Sequence, residues 1–335
     1  MNLFIFPATP FGQTGYSVAV KYDLKRIKVE SDDLIIWYQS QNKTYFSNDA
    51  TILRPSPYAF SRVVNVLRNH VNCELDVKSL SEFDISHVDT IFCGEVIFYR
   101  ALRTLFPNKH FKVRFHNCYS RINDRLRLID EKTSLKFKIQ SSALCKLEKE
   151  IFHDKNVQKI FISKEDREYY AQHFGIWSDS CVWGVEPKME LAYENRIDSK
   201  KNKLIHFGGL QSHKIDSLKW FINDVFIPLR NKYPTIEFHL YGKGTESFDD
   251  KPIGIIGNGF YEKDDLPDIK DGLYVNPDLL GIGVKMKLLD YFEKGASFIT
   301  TPYGFEGYSN DLIDNKFYFM EEKNNWLNFL INYFS

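Results

Sequence analysis

Cysteine is scarce in this chain and poorly placed for crosslinks or metal. Five cysteines, Cys73, Cys93, Cys118, Cys145 and Cys181, scatter through 335 residues and form no CxxC pair. Neither a zinc site nor a disulfide framework is indicated, and reduced thiols in the cytoplasm are the expectation. Long apolar runs are missing too. Nothing reaches the roughly eighteen residues a spanning helix requires, so no membrane span is expected. The N-terminal MNLFIFPATPFG is apolar only briefly before Pro7 and has no basic lead-in, so it reads as a first strand rather than a signal peptide. Net charge is absent: 44 Lys+Arg balance 44 Asp+Glu, which leaves no bulk electrostatic case for a nucleic-acid partner. No internal repeat, low-complexity tract or GxGxxG dinucleotide fingerprint occurs.

What is present is a globular composition, 43% apolar and 26% charged, in a chain long enough for two domains. Its neutrality hides an asymmetry. Residues 100–149 hold 13 Lys+Arg against 4 Asp+Glu, a local net of +9. Such a block is either a solvated helix face or a surface that meets anionic lipid or a lipid-linked phosphate.

Short β-rich apolar runs alternate with helical patterns along the whole chain. In the first half they are Leu3–Phe6, Leu34–Tyr38, Asp89–Cys93, Lys112–Phe115 and Lys159–Ile162. In the second they are Leu204–Phe207, Ile236–Tyr241, Gly272–Val275, Ser297–Thr300 and Lys316–Met320. This alternation predicts an α/β fold of two Rossmann-like, doubly wound domains. The polar PKMELAYENRIDSKKNK has no apolar period and reads as the linker. Domains are therefore expected over 1–187 and 188–320, with the apolar WLNFLINYF in a final helix within 321–335.

Ligands of open parallel sheets sit at the carboxyl ends of the strands. Four segments fall there. TPFGQTGYS, after the first strand, has Gly12 and Gly15 for close backbone approach, or is a plain turn. VRFHNCYSR ends a strand on His116 and Asn117; His116 is either a cleft residue or a satisfied structural histidine. FGGLQSHKIDSLKWF ends a strand at Gly208–Gly209 and places Lys214 on the next helix, facing an anion or solvent. The fourth, GIGVKMKLLDYFEKG, crowds Lys285 and Lys287 into the start of a helix that Gly295 should end.

A helix N-terminus is partially positive, so lysines there are unfavourable unless an anion arrives. Lys287 and Asp290 stand at i, i+3, where a helix-surface ion pair would contribute about 0.2–0.5 kcal/mol. Lys285 has no comparable partner in sequence. Free N–H groups behind Gly281 and Gly283, beside a lysine, make an anion site. Val284, Leu288 and Phe292 repeat every four residues and should face the core.

These residues resemble a family. The second half looks like the donor domain of a GT-B glycosyltransferase of family 4, in the branch with G-x-G-[IV]-K-x-K-x-x-[ED] followed by T-T-x-x-G-x-E-G. The matching positions are Gly281, Gly283, Val284, Lys285, Lys287 and Asp290, then Thr300, Thr301, Gly304, Glu306 and Gly307. GNGFYEKDDL resembles the turn that passes the nucleotide base, and VRFHN, IFISKED and VWGVEP resemble first-domain segments of these enzymes.

The resemblance implies two domains facing across a cleft and transfer of a sugar from a nucleotide diphosphate sugar, with retention. It implies diphosphate contact by Lys214, Gly208, Gly209, Lys285, Lys287 and the Gly281–Val284 loop. Asp290 would bind the ribose, and the backbone at Gly259, Phe260 and Tyr261 would pass the base. Glu306 belongs to the donor side. Gly12, Gln13, Thr14, Gly15, His116 and Asn117 would face the sugar and acceptor, His116 among the catalytic groups with Lys214 and Lys285. The last helix would cross back onto the first domain. No metal or other cofactor is implied, because lysines and a helix start take the metal's role. The acceptor would be a growing, lipid-linked or free glycan, met on the cytoplasmic face with the 100–149 block against an anionic membrane.

Two departures stand out. Ile282 occupies the place of a family glutamate eight positions before Asp290, and Gly209–Leu210 stand where an arginine is common. They leave two rivals: a GT-B nucleotide-sugar epimerase and a non-catalytic sugar-nucleotide binder.

Overall fold

The computed structural model describes residues 2–7, 15–27, 34–38, 50–53, 86–129, 135–175, 179–185, 202–210, 212–260, 272–279, 283–294, 296–308, 317–319 and 323–335. The chain divides into two compact units, Met1–Val185 and Glu186–Ser335.

The first unit is built on seven parallel strands: β1 (Asn2–Phe6), β2 (Leu34–Tyr38), β3 (Ala50–Leu53), β4 (Thr90–Cys93), β5 (His110–Phe115), β6 (Val157–Phe161) and β7 (Ser180–Val182). Their spatial order is β3-β2-β1-β4-β5-β6-β7. The helices between them are α1 (Gly15–Arg26), α2 (Tyr99–Leu105), α3 (Tyr119–Ile129), α4 (Leu135–His153) and α5 (Lys164–Phe174). β1 reads LFIF and is buried on both faces, as a central parallel strand must be. Phe4, Phe6, Val20, Phe92 and Ile160 form one core cluster, and Trp183 stacks on Phe92 at 5.8 Å. α5 starts on Ser163, whose hydroxyl accepts from the Asp166 N–H at 3.1 Å, and stops at Gly175 with φ of 98°.

The second unit repeats the plan. Its strands are β8 (Lys203–Phe207), β9 (Glu237–Tyr241), β10 (Ile255–Gly257), β11 (Leu273–Asn276), β12 (Phe298–Thr300) and β13 (Phe317–Phe319), in the order β10-β9-β8-β11-β12-β13. Its helices are α6 (Ser212–Phe221), α7 (Ile227–Lys232), α8 (Met286–Lys294), α9 (Pro302–Phe305) and α10 (Lys323–Phe334). Between α6 and α7 the helix widens to a π segment over Ile222–Phe226. Pro228 follows at once and has no N–H to offer the preceding turn, which favours such a wider turn.

Three strands, β3, β7 and β10, were not expected from the apolar runs; they are only 4, 3 and 3 residues long. Trp326 and Leu330 on α10 are buried with Phe221, Phe226 and Phe238 in the second unit's own core. Trp326 meets Trp220 and Phe221 edge-on at 6.0 and 5.6 Å. The apolar stripe of WLNFLINYF is therefore satisfied locally.

In each unit the strand order reverses direction once, between β1 and β4 and between β8 and β11. The carboxyl ends of those pairs form the crevice where a doubly wound sheet binds ligands.

Candidate functional site

In the second unit, β8 ends at Phe207 and Gly208 follows with φ of 149°, a conformation that side-chain-bearing residues rarely adopt. Its neighbour Gly242 makes the turn possible. A Cβ on Gly242 would lie 2.4 Å from the Gly208 carbonyl, so only glycine fits. The loops after β8 and β9 are bonded as well, Gly208 N–H to the Tyr241 carbonyl at 2.8 Å and Leu210 N–H to that of Lys243 at 3.0 Å.

Cations gather at this loop. A Cβ built on Gly208 would be 3.9 Å from Lys214 Nζ, 3.9 Å from Lys287 Nζ and 3.5 Å from His206 Nε2. Lys214 comes from α6, Lys287 from the first turn of α8 and His206 from β8 itself. Lys285, just before α8, donates to the Gly283 carbonyl at 3.3 Å, and Tyr308 holds the Lys285 carbonyl at 2.8 Å. Val284, Leu288 and Phe292 are buried, which fixes the register that brings Lys287 inward.

One carboxylate sits among them. Asp278, two residues past β11, is 2% exposed at its side chain and lies 3.2 Å from Lys287 Nζ. The angle is poor for a hydrogen bond, and neither Lys287 Nζ nor Asp278 Oδ2 has a hydrogen-bond partner elsewhere among the described residues. Burial and the Asp278 charge oppose one another at the lysines and burial wins, so Lys285 and Lys287 are each held down to about 8. Glu306 is a second negative neighbour of Lys285. Asp278 itself is buried, yet Lys287, Lys214, His206 and Lys285 together bring it to about 2. Burial, with Lys287, keeps His206 neutral by lowering it to about 3. Its Nδ1 pairs with the Val275 carbonyl at 3.0 Å; an N–H donated there leaves Nε2 as an acceptor among the lysines.

The threonines of TTPYGFEG shape this floor. Thr301 Oγ1 donates to the Asp278 carbonyl and caps α9 by accepting from Gly304 N–H at 3.1 Å. Asn276 donates to Thr300 Oγ1 at 3.0 Å.

In the first unit a charge one strand beyond the β1/β4 reversal is enclosed. Arg114, fully buried on β5, donates from Nε to Asp23 of α1 at 3.1 Å. Its Nη1 reaches the Phe161 carbonyl at 2.7 Å and its Nη2 that of Trp183 at 2.8 Å. His116 lies 3.5 Å from the same Asp23 carboxylate. Burial, then Arg114, keeps the imidazole well below its ordinary range, so it is neutral.

Comparison with known proteins gives the following. No family model matches the chain. An uncharacterized 44.6 kDa protein in the cps region of Klebsiella pneumoniae is 26% identical over 162 residues, 44% of this chain and 40% of that protein. The chain thus aligns with well under half of that relative's length. Among solved structures, WaaG, a glycosyltransferase involved in lipopolysaccharide biosynthesis, has a TM-score of 0.62 at 12% identity, covering 100% of this chain and 90% of that one. Anabaena HepE, in complex with UDP and glucose, has 0.60 at 11% identity, covering 99% and 89%. The fold is that of the GT-B glycosyltransferases.

On the GT-B plan, the structure brings Gly208, Lys214, Lys285 and Lys287 to one crevice, with Gly209, Gly283 and Val284 on its loops. Gly259, with φ of 72°, is tied to Gly242 by a 2.7 Å bond, and Phe260 beyond it is 72% exposed. The acid that meets Lys287 is Asp278, at 3.2 Å, which its position in sequence does not suggest. Gly12, Gln13, Thr14, Tyr261, Gly281, Ile282, Gly295 and the Asp290 side chain lie outside the described residues. Gly15 opens α1, and half-buried Asn117 follows His116. Asp278 and His206 were missed in sequence. An acid two residues past the strand beside β8, at the reversal of strand order, is the signal that identifies Asp278.

Proposed function

We propose that this chain is a glycosyltransferase that moves a sugar from a nucleoside diphosphate sugar onto a surface glycan. The observation that carries this reading is the convergence of Lys214 and Lys287 on Gly208, with Lys285 beside them, at the β8/β11 crevice. The HepE complex with UDP and glucose supports it through the shared fold, as do the part WaaG takes in lipopolysaccharide biosynthesis and the cps-region setting of the Klebsiella relative.

The chemistry follows from charge. The anomeric carbon–oxygen bond breaks, the nucleoside diphosphate leaves with the electron pair, and an acceptor hydroxyl bonds to that carbon and loses its proton. Negative charge grows on the leaving diphosphate. Preorganised ammonium groups in a partly dry site stabilise that growth, usually the largest catalytic term. Here Lys214, Lys285 and Lys287 take that part without a metal. Gly208, Gly209, Gly283 and Val284 line the phosphates, Asp290 and Glu306 the sugar and ribose side, and Gly259–Tyr261 the base. Gly12–Gly15, His116 and Asn117 serve the sugar and acceptor. Attack from the leaving-group face, with retention, is the stereochemistry we favour, as in family 4.

A lipid-linked acceptor on the cytoplasmic face of a membrane is part of this reading. The 100–149 block supports it less than its count suggests. Arg100, Arg103, Arg114 and Arg121 pair with Glu150, Asp154, Asp23 and Asp166, all outside the block. Among the described residues no helix is long and apolar enough to cross a membrane.

The test is thermal melting against UDP, GDP, TDP, ADP and CMP, with and without attached sugars. Ligand at a hundred times its Kd adds about 2.7 kcal/mol, a rise of several degrees. A shift with one nucleoside diphosphate is expected, and a folded sample that responds to none contradicts the proposal.

A further inference from the structure

An acid has no obvious place in a diphosphate site. Asp278 would repel the very ligand that Lys214, Lys285 and Lys287 attract, yet it is nearly fully buried between them. Its position is also fixed from two sides. Thr301 Oγ1 donates to its carbonyl, and the next residue, Leu279, donates its N–H to Ser217 Oγ of α6 at 3.1 Å. A lysine, by contrast, is a point charge on a flexible four-carbon stem. Burying three such cations together is unfavourable unless something compensates. Nothing else among the described residues bonds to Lys287 Nζ.

We propose that Asp278 is a positioning residue: its carboxylate aims the Lys287 ammonium at the Gly208 loop and keeps it charged in the empty site, so that an arriving diphosphate meets a cation already in place. This rests on the donor-site reading above. The groups that face the pair come from every element around it: Lys214 from α6, His206 from β8, Lys285 from the approach to α8, and Glu306 after α9 acting on Lys285. His206 is neutral and Lys214 and Lys285 are cations, so Asp278 alone favours the charged form of Lys287.

The full chain, labelled at lysine Cε, tests this by NMR titration, with Lys287→Met identifying the resonance. Asp278→Asn keeps the shape of the side chain and removes its charge, and its melting curve reports whether it folds. Lys287 should titrate near 8 in the wild type and at least about one unit lower in Asp278→Asn, because a favourable charge within about 4 Å is gone. UDP binding is followed in parallel. The variant should lose about tenfold in affinity at pH 8.5 and little at pH 6.5, about the ratio a one-unit shift gives. Asp278→Glu should restore part of the alkaline affinity. A Lys287 midpoint that does not move, or a loss of affinity uniform in pH, overturns the positioning role even where UDP binds well. A midpoint that moves in a wild type blind to every nucleoside diphosphate instead overturns the donor reading and this role for Asp278 with it.

Discussion

Both units gather charge near the carboxyl ends of their central strands and use it differently. Beside the β1/β4 reversal, Arg114 has its Nε on Asp23 and its two terminal nitrogens on backbone carbonyls. Beside the β8/β11 reversal, three lysines share Asp278, with Glu306 a second acid near Lys285. In the first unit the cation is saturated, and the network is a brace between β5, β6 and α1. In the second, on the proposed reading, an arriving diphosphate adds negative charge to the lysine cluster. Burial alone therefore does not mark a binding charge. The balance of cations against acids around it is the better guide.

The largest expected effect breaks the brace. Arg114→Met strands the buried Asp23 carboxylate and should cost about 3–5 kcal/mol of stability, read as a large fall in Tm. UDP affinity of the folded fraction should stay within about threefold, since it resides in the other unit. Equal losses in Tm and affinity would erase the distinction between the sites.

Lys285→Ala should do the reverse. Removing a charge-assisted phosphate contact should reduce kcat/KM at least about tenfold, near 1.4 kcal/mol. The empty protein should melt no lower than the wild type, because a buried cation in excess has been removed. Full turnover would free Lys285 of its phosphate role.

A pH series sharpens the same contrast. Lys285 and Lys287 sit near 8, below the ordinary 10.5, so their charged forms weaken the empty fold. That penalty is present at neutral pH and lifts as pH rises through about 8 toward 10.5. The rise in Tm produced by UDP should therefore shrink between pH 7 and 9.5. A constant rise contradicts the linkage.

The smallest effect belongs to the basic block. Arg100→Ala removes a solvent-facing pair with Glu150 and should change stability by less than about 1 kcal/mol. Flotation with vesicles containing anionic lipid should weaken only slightly for this variant. Equal, negligible binding by the wild type to neutral and anionic vesicles would remove the membrane from the reading.

Much of this was legible in the chain. Apolar runs at regular spacing marked ten of the strands because central parallel strands are buried on both faces and leave little ambiguity. The glycines around Ile282 and the lysines after them suggested an anion site because a helix start repels lysines, and that site stands as part of the proposed function. Other features could not be read locally. Asp278 meets His206 and Lys214 only because β11 lies beside β8, an adjacency that VNPDLL does not show by itself. Lys287 has Asp290 three residues away in sequence, so the chain alone offers that acid first, while Asp278 stands farther off along the chain. His116, either a cleft residue or a structural histidine by sequence, is buried near Asp23, and that burial depends on α1 folding over the sheet. The final helix looked unpartnered because the surface it fills, around Phe221 and Phe226, is assembled from distant segments. The block at 100–149 looked like free charge because its acids lie beyond its ends.

The diphosphate assignment is tested most directly by calorimetric titration of the wild type and Lys285→Ala with UDP and with uridine at pH 7. UDP should bind the wild type, uridine should bind far more weakly, and Lys285→Ala should lose at least about tenfold in UDP affinity while leaving uridine unchanged. UDP binding of equal strength in both proteins, or uridine binding as tightly as UDP, would place the recognition outside the lysine cluster and contradict it.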